Sequence, residues 1–111
     1  MILGIESTAH TFGVGIVHKG KILVNMREMY KPSHGGIIPM ESAKHHKAIA
    51  QELYKKALDE AKVNDKEIKA IAFSYAPGLA PCLIAGLEFV RKKAKELDVP
   101  IIPVNHCIAH L

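Results

Sequence analysis

The chain of 111 residues has no tryptophan, only two cysteines, and aromatic residues amounting to 5% of its length. Two cysteines as far apart as Cys82 and Cys107 exclude a disulfide framework and fit a reducing compartment. No apolar run approaches the roughly 20 residues needed to span a bilayer, and no basic-then-apolar leader opens the chain. A soluble, cytoplasmic protein is therefore expected. Neither sign of charge dominates: 15 Lys and Arg against 11 Asp and Glu leave +4 with neutral histidines. Such a balance permits a nucleic-acid partner without requiring one, because such partners are usually met by a clustered basic stripe. The densest basic cluster, Arg91, Lys92, Lys93 and Lys95, reads as a solvated helix face. There is no internal repeat, no low-complexity segment, and no aspartate before Asp59.

What the chain does have is 49% apolar residues, enough for one buried core. Three strand-like runs come first: "MILGIES", "TFGVGIVH" and "GKILVNMREMY", the last with Ile22, Val24 and Met26 on one side. Lys19-Gly20 predicts a tight hairpin turn between the second and third. Residues 31–39, with two prolines and a Gly-Gly pair, read as a loop. From Glu41 to about Ala61 the period turns helical, with Ala43, His46, Ala50, Leu53, Tyr54 and Ala57 on one stripe. "KAIAFSY" reads as a buried strand, "APGLAP" as a turn, and Pro81 to Leu97 as a second helix with Leu83, Leu87, Val90, Ala94 and Leu97 inward. "VPIIPV" is the last strand, and Asn105 is placed to cap a further helix start. Three strands, helix, strand, helix, strand, helix start predicts a layered α/β sheet with right-handed crossovers and a hairpin on one side. This is the ribonuclease-H-like order of the actin, sugar-kinase and heat-shock ATPase group.

Four stretches carry candidate chemistry. In "GIESTAHTFGVGIV" a hydroxyl-rich turn between glycine-bearing strands offers N–H groups and small side chains to a phosphate. Its candidates are Ser7, Thr8 and Thr11, with Glu6 and His10 beside them; an ordinary hairpin turn is the plain alternative. "YAPGLAPC" places a helix N-terminus behind a sharp turn, without the lysine or spacing of a P-loop. "GGIIPMESAKHHK" puts Glu41 in a first helical turn and His45 and His46 about 100° apart, one packed and one exposed, or His46 and Glu41 at a cleft. In "NHCIAH", His106 and His110 are four apart on one helix face, the spacing of a two-histidine zinc or iron face. Two ligands need at least a third, and none stands near at helical spacing.

Taken in order, "GIESTAHTFGVGIV", "GGIIPMESAKHH", "FSYAPGLAPCL" and "PVNHCIAHL" resemble the Kae/TsaD (Gcp) family over essentially the whole chain. The family usually has Gly-Pro-Gly where Ala76-Pro77-Gly78 stands and an arginine where Ile84 stands. The resemblance implies transfer of a threonylcarbamoyl group to adenosine 37 of tRNA, in archaea within the KEOPS complex. It implies one divalent ion, iron or zinc, at His106 and His110, and ATP or threonylcarbamoyl-adenylate with its phosphates beside Ser7 to Thr11. Residues 1–111 would then be the N-terminal lobe of a two-lobe protein whose second lobe is absent, inactive as a fragment. Two other readings share the fold: a non-catalytic paralogue that only dimerises, and a sugar- or acetate-kinase-like lobe.

The resemblance also implies partners: a small dimeric KEOPS subunit docking on the two helices, and the KEOPS kinase subunit and tRNA for the full protein. Ile49, Ile84, Ala85 and Phe89 are the residues expected at the dimeric subunit's interface. Phe89 falls about 160° from Leu87 at 100° per residue and is read as lying outside the core stripe.

Overall fold

Lys19 and Gly20 both adopt positive φ, 49° and 77°, which is what a two-residue turn needs to join strongly twisted antiparallel strands. They connect β2 (Thr11–His18) to β3 (Lys21–Met29), and β2 pairs antiparallel with β1 (Ile2–Ser7) as well. These elements belong to a computed structural model that describes residues 1–8, 11–29, 39–76 and 80–105. After β3 come α1 (Pro39–Ala61), a short 3-10 turn (Asp65–Glu67), β4 (Ala70–Ala76), α2 (Ala80–Leu97) and β5 (Ile101–Asn105). The sheet order is β3-β2-β1-β4-β5, with β4 parallel to both β1 and β5. The described residues thus form an α/β fold with a mixed five-stranded sheet and two α-helices. The helix expected after Asn105 lies outside the described residues, as do Pro77 and Gly78.

Strand alternation divides the sheet into unlike faces. Leu3, Ile5, Phe12, Val14, Ile16, Ile71 and Phe73 point to one side and are buried there against Ala50, Leu53, Tyr54 and Ala57 of α1 and Val90 and Ala94 of α2. The other side carries no helix among the described residues. Its middle is built from Gly4, Gly13, Gly15, Ala72 and Ser74, which line a groove of about 310 Å³. Proline is tolerated at position 103 because β5 is the edge of the sheet.

Both helices end alike. Val63 N–H reaches the Leu58 carbonyl and Lys62, at φ 57°, occupies the left-handed position that usually takes glycine. In α2, Val99 N–H reaches the Ala94 carbonyl and Asp98, at φ 55°, does the same. Between α1 and β4, Asn64 and Glu67 form a reciprocal cap: the Asn64 side chain accepts from Lys66 N–H, and Glu67 accepts from Asn64 N–H at 2.7 Å.

Three expectations on α2 need correcting. The buried arc of this helix runs through Cys82, Ala85, Gly86, Val90, Lys93 and Ala94, because α2 touches α1 as well as the sheet. Leu87, from which the stripe was drawn, is only at the edge of that arc. Phe89 lies inside it, with its ring 6.0 Å from Phe12 and 6.1 Å from Tyr54, and Ala85 is buried too. Ile49 of α1 is also packed against the core, so of the four expected interface residues Ile84 alone is exposed, at 56%. Lys93, read as solvated, is 7% exposed: its ammonium sits 4.7 Å from the Tyr54 ring centre and pairs with Glu96 at 3.0 Å. Its stem lies along apolar surface, which sequence periodicity counts as polar.

Candidate functional site

The carboxyl ends of β1, β4 and β5 come together at one edge of the sheet, Glu6 opposite Ser74 and Ala76 opposite Asn105. Open parallel sheets place ligands at such an edge. Thr8 and Thr11, at the facing ends of β1 and β2, stand there, and Asn105 ends β5 at the same edge.

Around the turn the contacts are dense. Thr8 N–H donates to the Thr11 carbonyl at 2.9 Å, and Thr11 N–H donates to the Thr8 hydroxyl oxygen at 3.2 Å. The described N–H groups of the turn are therefore bound within it. Ser7, expected among the phosphate-facing hydroxyls, is fully buried instead. The two-residue period puts it on the face of Leu3 and Ile5, under the helices, and its hydroxyl donates to the Cys82 carbonyl at 2.6 Å. That contact brings the first turn of α2 onto the end of β1. Cys82 Sγ in turn meets the buried Ser42 hydroxyl at 3.4 Å, so the N-terminal turns of α1 and α2 touch each other behind the turn.

His46 is fully buried, one helical turn after Ser42. Its Nε2 lies 2.6 Å from the Thr8 carbonyl oxygen and its Nδ1 lies 2.9 Å from Nδ1 of His45. Burial pushes its pKa below the usual 6.5, the Thr8 carbonyl partly opposes this, and His45 adds to it. His46 therefore faces the turn from beneath, while Glu41 sits exposed in the first turn of α1. The structure brings together Ser7, Thr8, Thr11 and His46. His10, His106 and His110 lie outside the described residues. Among the described residues, no group of three or more His, Cys, Asp or Glu could hold a metal ion.

Sequence reasoning missed Ser42, Cys82 and the His45–His46 contact. Ser42, His46 and Ala50 recur at four, so extending the α1 stripe backwards by one turn reaches Ser42. Nothing in the sequence signals Cys82.

The family model for TsaD, tRNA N6-adenosine threonylcarbamoyltransferase, matches residues 21–111. Relatives named tRNA N6-adenosine threonylcarbamoyltransferase include those of Thermofilum pendens, 49% identical over 99% of this chain and 33% of the relative, and Thermococcus sibiricus, 50% identical over 98% and 34%. Among solved structures, YeaZ from Pseudomonas aeruginosa matches with a TM-score of 0.72 at 22% identity, covering 94% of this chain and 44% of that one. RuvC of T. thermophilus, solved with a Holliday junction substrate, matches with a TM-score of 0.58 at 18% identity, covering 96% and 64%. These two share the α/β fold alone. The chain spans about a third of the length of the curated relatives it matches, and within that span it belongs to the tRNA N6-adenosine threonylcarbamoyltransferase family.

Proposed function

We propose that residues 1–111 form the N-terminal lobe of a two-lobe enzyme of the actin, sugar-kinase and heat-shock ATPase type. The enzyme moves the threonylcarbamoyl group from threonylcarbamoyl-adenylate to N6 of adenosine 37 in tRNA, in the cytoplasm. The adenine amine attacks the carbamoyl carbon, the new C–N bond forms, the bond to the phosphate oxygen breaks, and AMP leaves with the amine proton going to solvent or base. The observation that carries this reading is 43–50% identity to enzymes of that name across nearly the whole chain.

In this lobe the Thr8–Thr11 turn, with His10, faces the phosphates of the nucleotide, and Ser7 and His46 hold that turn from behind. The Thr8 and Thr11 N–H groups that flank the turn are bound to each other's residues, which holds its two ends together. His106 and His110 would hold a divalent ion; paired neutral imidazoles suit iron or zinc, and such an ion supplies Lewis-acid polarisation of a carbonyl. The chain alone has one wall of a cleft and is inactive, with weak affinity for ATP. In the full-length protein, His106→Ala combined with His110→Ala is expected to lower bound metal and modification of adenosine 37 together; equal metal and equal activity would refute the assignment.

The paired helices are the docking surface for a small dimeric KEOPS subunit, and the kinase subunit and tRNA engage the full protein. With Phe89, Ala85 and Ile49 turned inward, Ile84 is the residue of the original four that can meet a partner without unfolding the lobe. Ile84→Asp should abolish co-elution with that subunit while circular dichroism stays unchanged; stoichiometric co-elution would place the partner elsewhere.

A further inference from the structure

Two adjacent histidines whose like-named nitrogens approach to 2.9 Å pose a proton question. A carbonyl oxygen can only accept, so His46 Nε2, at 2.6 Å from the Thr8 oxygen, must carry its hydrogen. Its ring is buried beside Phe12, with the ring centres 5.9 Å apart, and a buried imidazole without a counter-charge stays neutral. A neutral ring with Nε2–H has a lone pair at Nδ1. His45 must then present Nδ1–H to that lone pair, because two lone pairs would repel at this distance. The geometry leaves one arrangement: His45 Nδ1–H donates to His46 Nδ1, and His46 Nε2–H donates to the Thr8 carbonyl.

We propose that His45 and His46 are positioning residues that hold the Thr8–Thr11 turn through one shared proton chain running from α1 into the turn. His46 is fixed at its other end by the helix: Ser42 and Ala50, one turn away on either side, are buried with it. Fixing the Thr8 carbonyl also fixes Thr11, since Thr8 and Thr11 are joined by three hydrogen bonds of their own. The chain ties α1 to a turn 38 residues away in sequence. A proton added to His46 would turn Nδ1 from acceptor to donor, and His45 could remain in contact only by moving its own hydrogen to Nε2. The Thr8 carbonyl therefore sets which form neutral His46 takes, His45 donates to that form, and His46 sets where the turn sits.

This inference deepens the reading of the turn as the phosphate side and rests on it for its importance to catalysis, but its test uses no nucleotide. On the 111-residue chain labelled with nitrogen-15, long-range proton–nitrogen correlation at pH 7.5 should show His46 as a single Nε2–H tautomer and His45 as Nδ1–H. A His46 signal of the Nδ1–H form, or one averaged between the two, would overturn the proposal. His45→Leu should leave His46 in the Nε2–H form, because the Thr8 carbonyl still accepts from it, while Nδ1 loses its donor. Amide exchange at Thr11 is the second readout: His46→Phe, which keeps an aromatic ring in the core, should speed it on the order of tenfold. His46→Gln, whose carboxamide can still donate to Thr8, should restore most of the protection. Unchanged exchange in His46→Phe would overturn the proposal, and if that variant does not fold, the His46→Gln protection and the tautomer decide it. A turn held as described that shows no response to nucleotide in the full-length protein would refute the phosphate reading and leave this inference standing.

Discussion

Gly86 is the place where α2 and β1 come closest, and replacing it with alanine gives a calculable conflict. A methyl group there would stand 2.5 Å from Cβ of Ser7, 2.9 Å from the Phe73 ring and 3.1 Å from the Ser7 hydroxyl. Neither neighbour is the loose end of a flexible chain: Ser7 Cβ is fixed by its strand, and Phe73 is buried in the core. Helix α2 would have to lift off the sheet, stretching the 2.6 Å bond from Ser7 to the Cys82 carbonyl. Overpacking of this kind costs about 1–3 kcal/mol, and alanine returns about 1 kcal/mol of helix propensity over glycine. An approach of 2.5 Å to a fixed Cβ puts the clash in the upper part of that range, about 2–3 kcal/mol, leaving a net loss of about 1–2 kcal/mol. For a domain of this size that lowers the melting temperature by about 4–12 °C. Urea titration and calorimetry of Gly86→Ala measure it directly. In the double variant Ser7→Gly with Gly86→Ala the obstructing Cβ is gone, and the pair should be less destabilised than the two single losses added, by about 1 kcal/mol. A Gly86→Ala protein about 1 kcal/mol more stable than the parent would mean that propensity alone governs this position and that the close approach is wrong.

Lys62→Gly should stabilise the chain by about 0.5–1 kcal/mol, read as a higher urea midpoint, because glycine occupies the left-handed helix end at φ 57° without strain. The Tyr54 hydroxyl is buried with no hydrogen-bond partner among the described residues, so Tyr54→Phe should be as stable as the parent or more so by thermal melting. Burial, with help from Asp65 and Glu96, pushes the Tyr54 phenol up to about 12; the unfolded chain ionises first, so stability should fall as pH rises from about 10 toward 12, and not in Tyr54→Phe. His46 behaves in the opposite sense: its lowered pKa gives stability that is present above 6.5 and lost as pH falls below it, so the urea midpoint should drop more between pH 7.5 and 5.5 in the parent than in His46→Gln.

Strands and helices were legible wherever one period dominated. The hairpin at Lys19-Gly20, the α1 stripe through Ala50, Leu53 and Ala57, and the alternation of helices with parallel strands all follow from spacing, and the structure has them. The α2 face was not legible, because that helix is buried along two lines at once, against the sheet and against α1. A single stripe through Leu87 therefore put Phe89 outside when it lies inside. Ser7 failed for a related reason. A hydroxyl next to a turn looks like a ligand group, but strand parity directs it to the core side, and only the position of α2 shows that a carbonyl waits there. The contact between His45 and His46 depends on side-chain torsions of neighbours 100° apart, which no periodicity encodes.

The central position of β1 has a consequence in time. Its antiparallel partner follows within a few residues, but its parallel partner β4 begins at Ala70, and the Met1 amino group finds its carbonyl on Glu67, 66 residues further along. At a synthesis rate of about 5–20 residues per second, that edge of the nascent sheet stays without its neighbour for roughly 3–13 s. During this interval Ile2, Leu3, Gly4 and Ile5 expose an unpaired row of backbone groups in the middle of what will be the sheet. Arrival of α1 cannot close it; arrival of β4 can. The newborn chain is thus most vulnerable to pairing with a stranger while its first strand, already made, waits for its fourth.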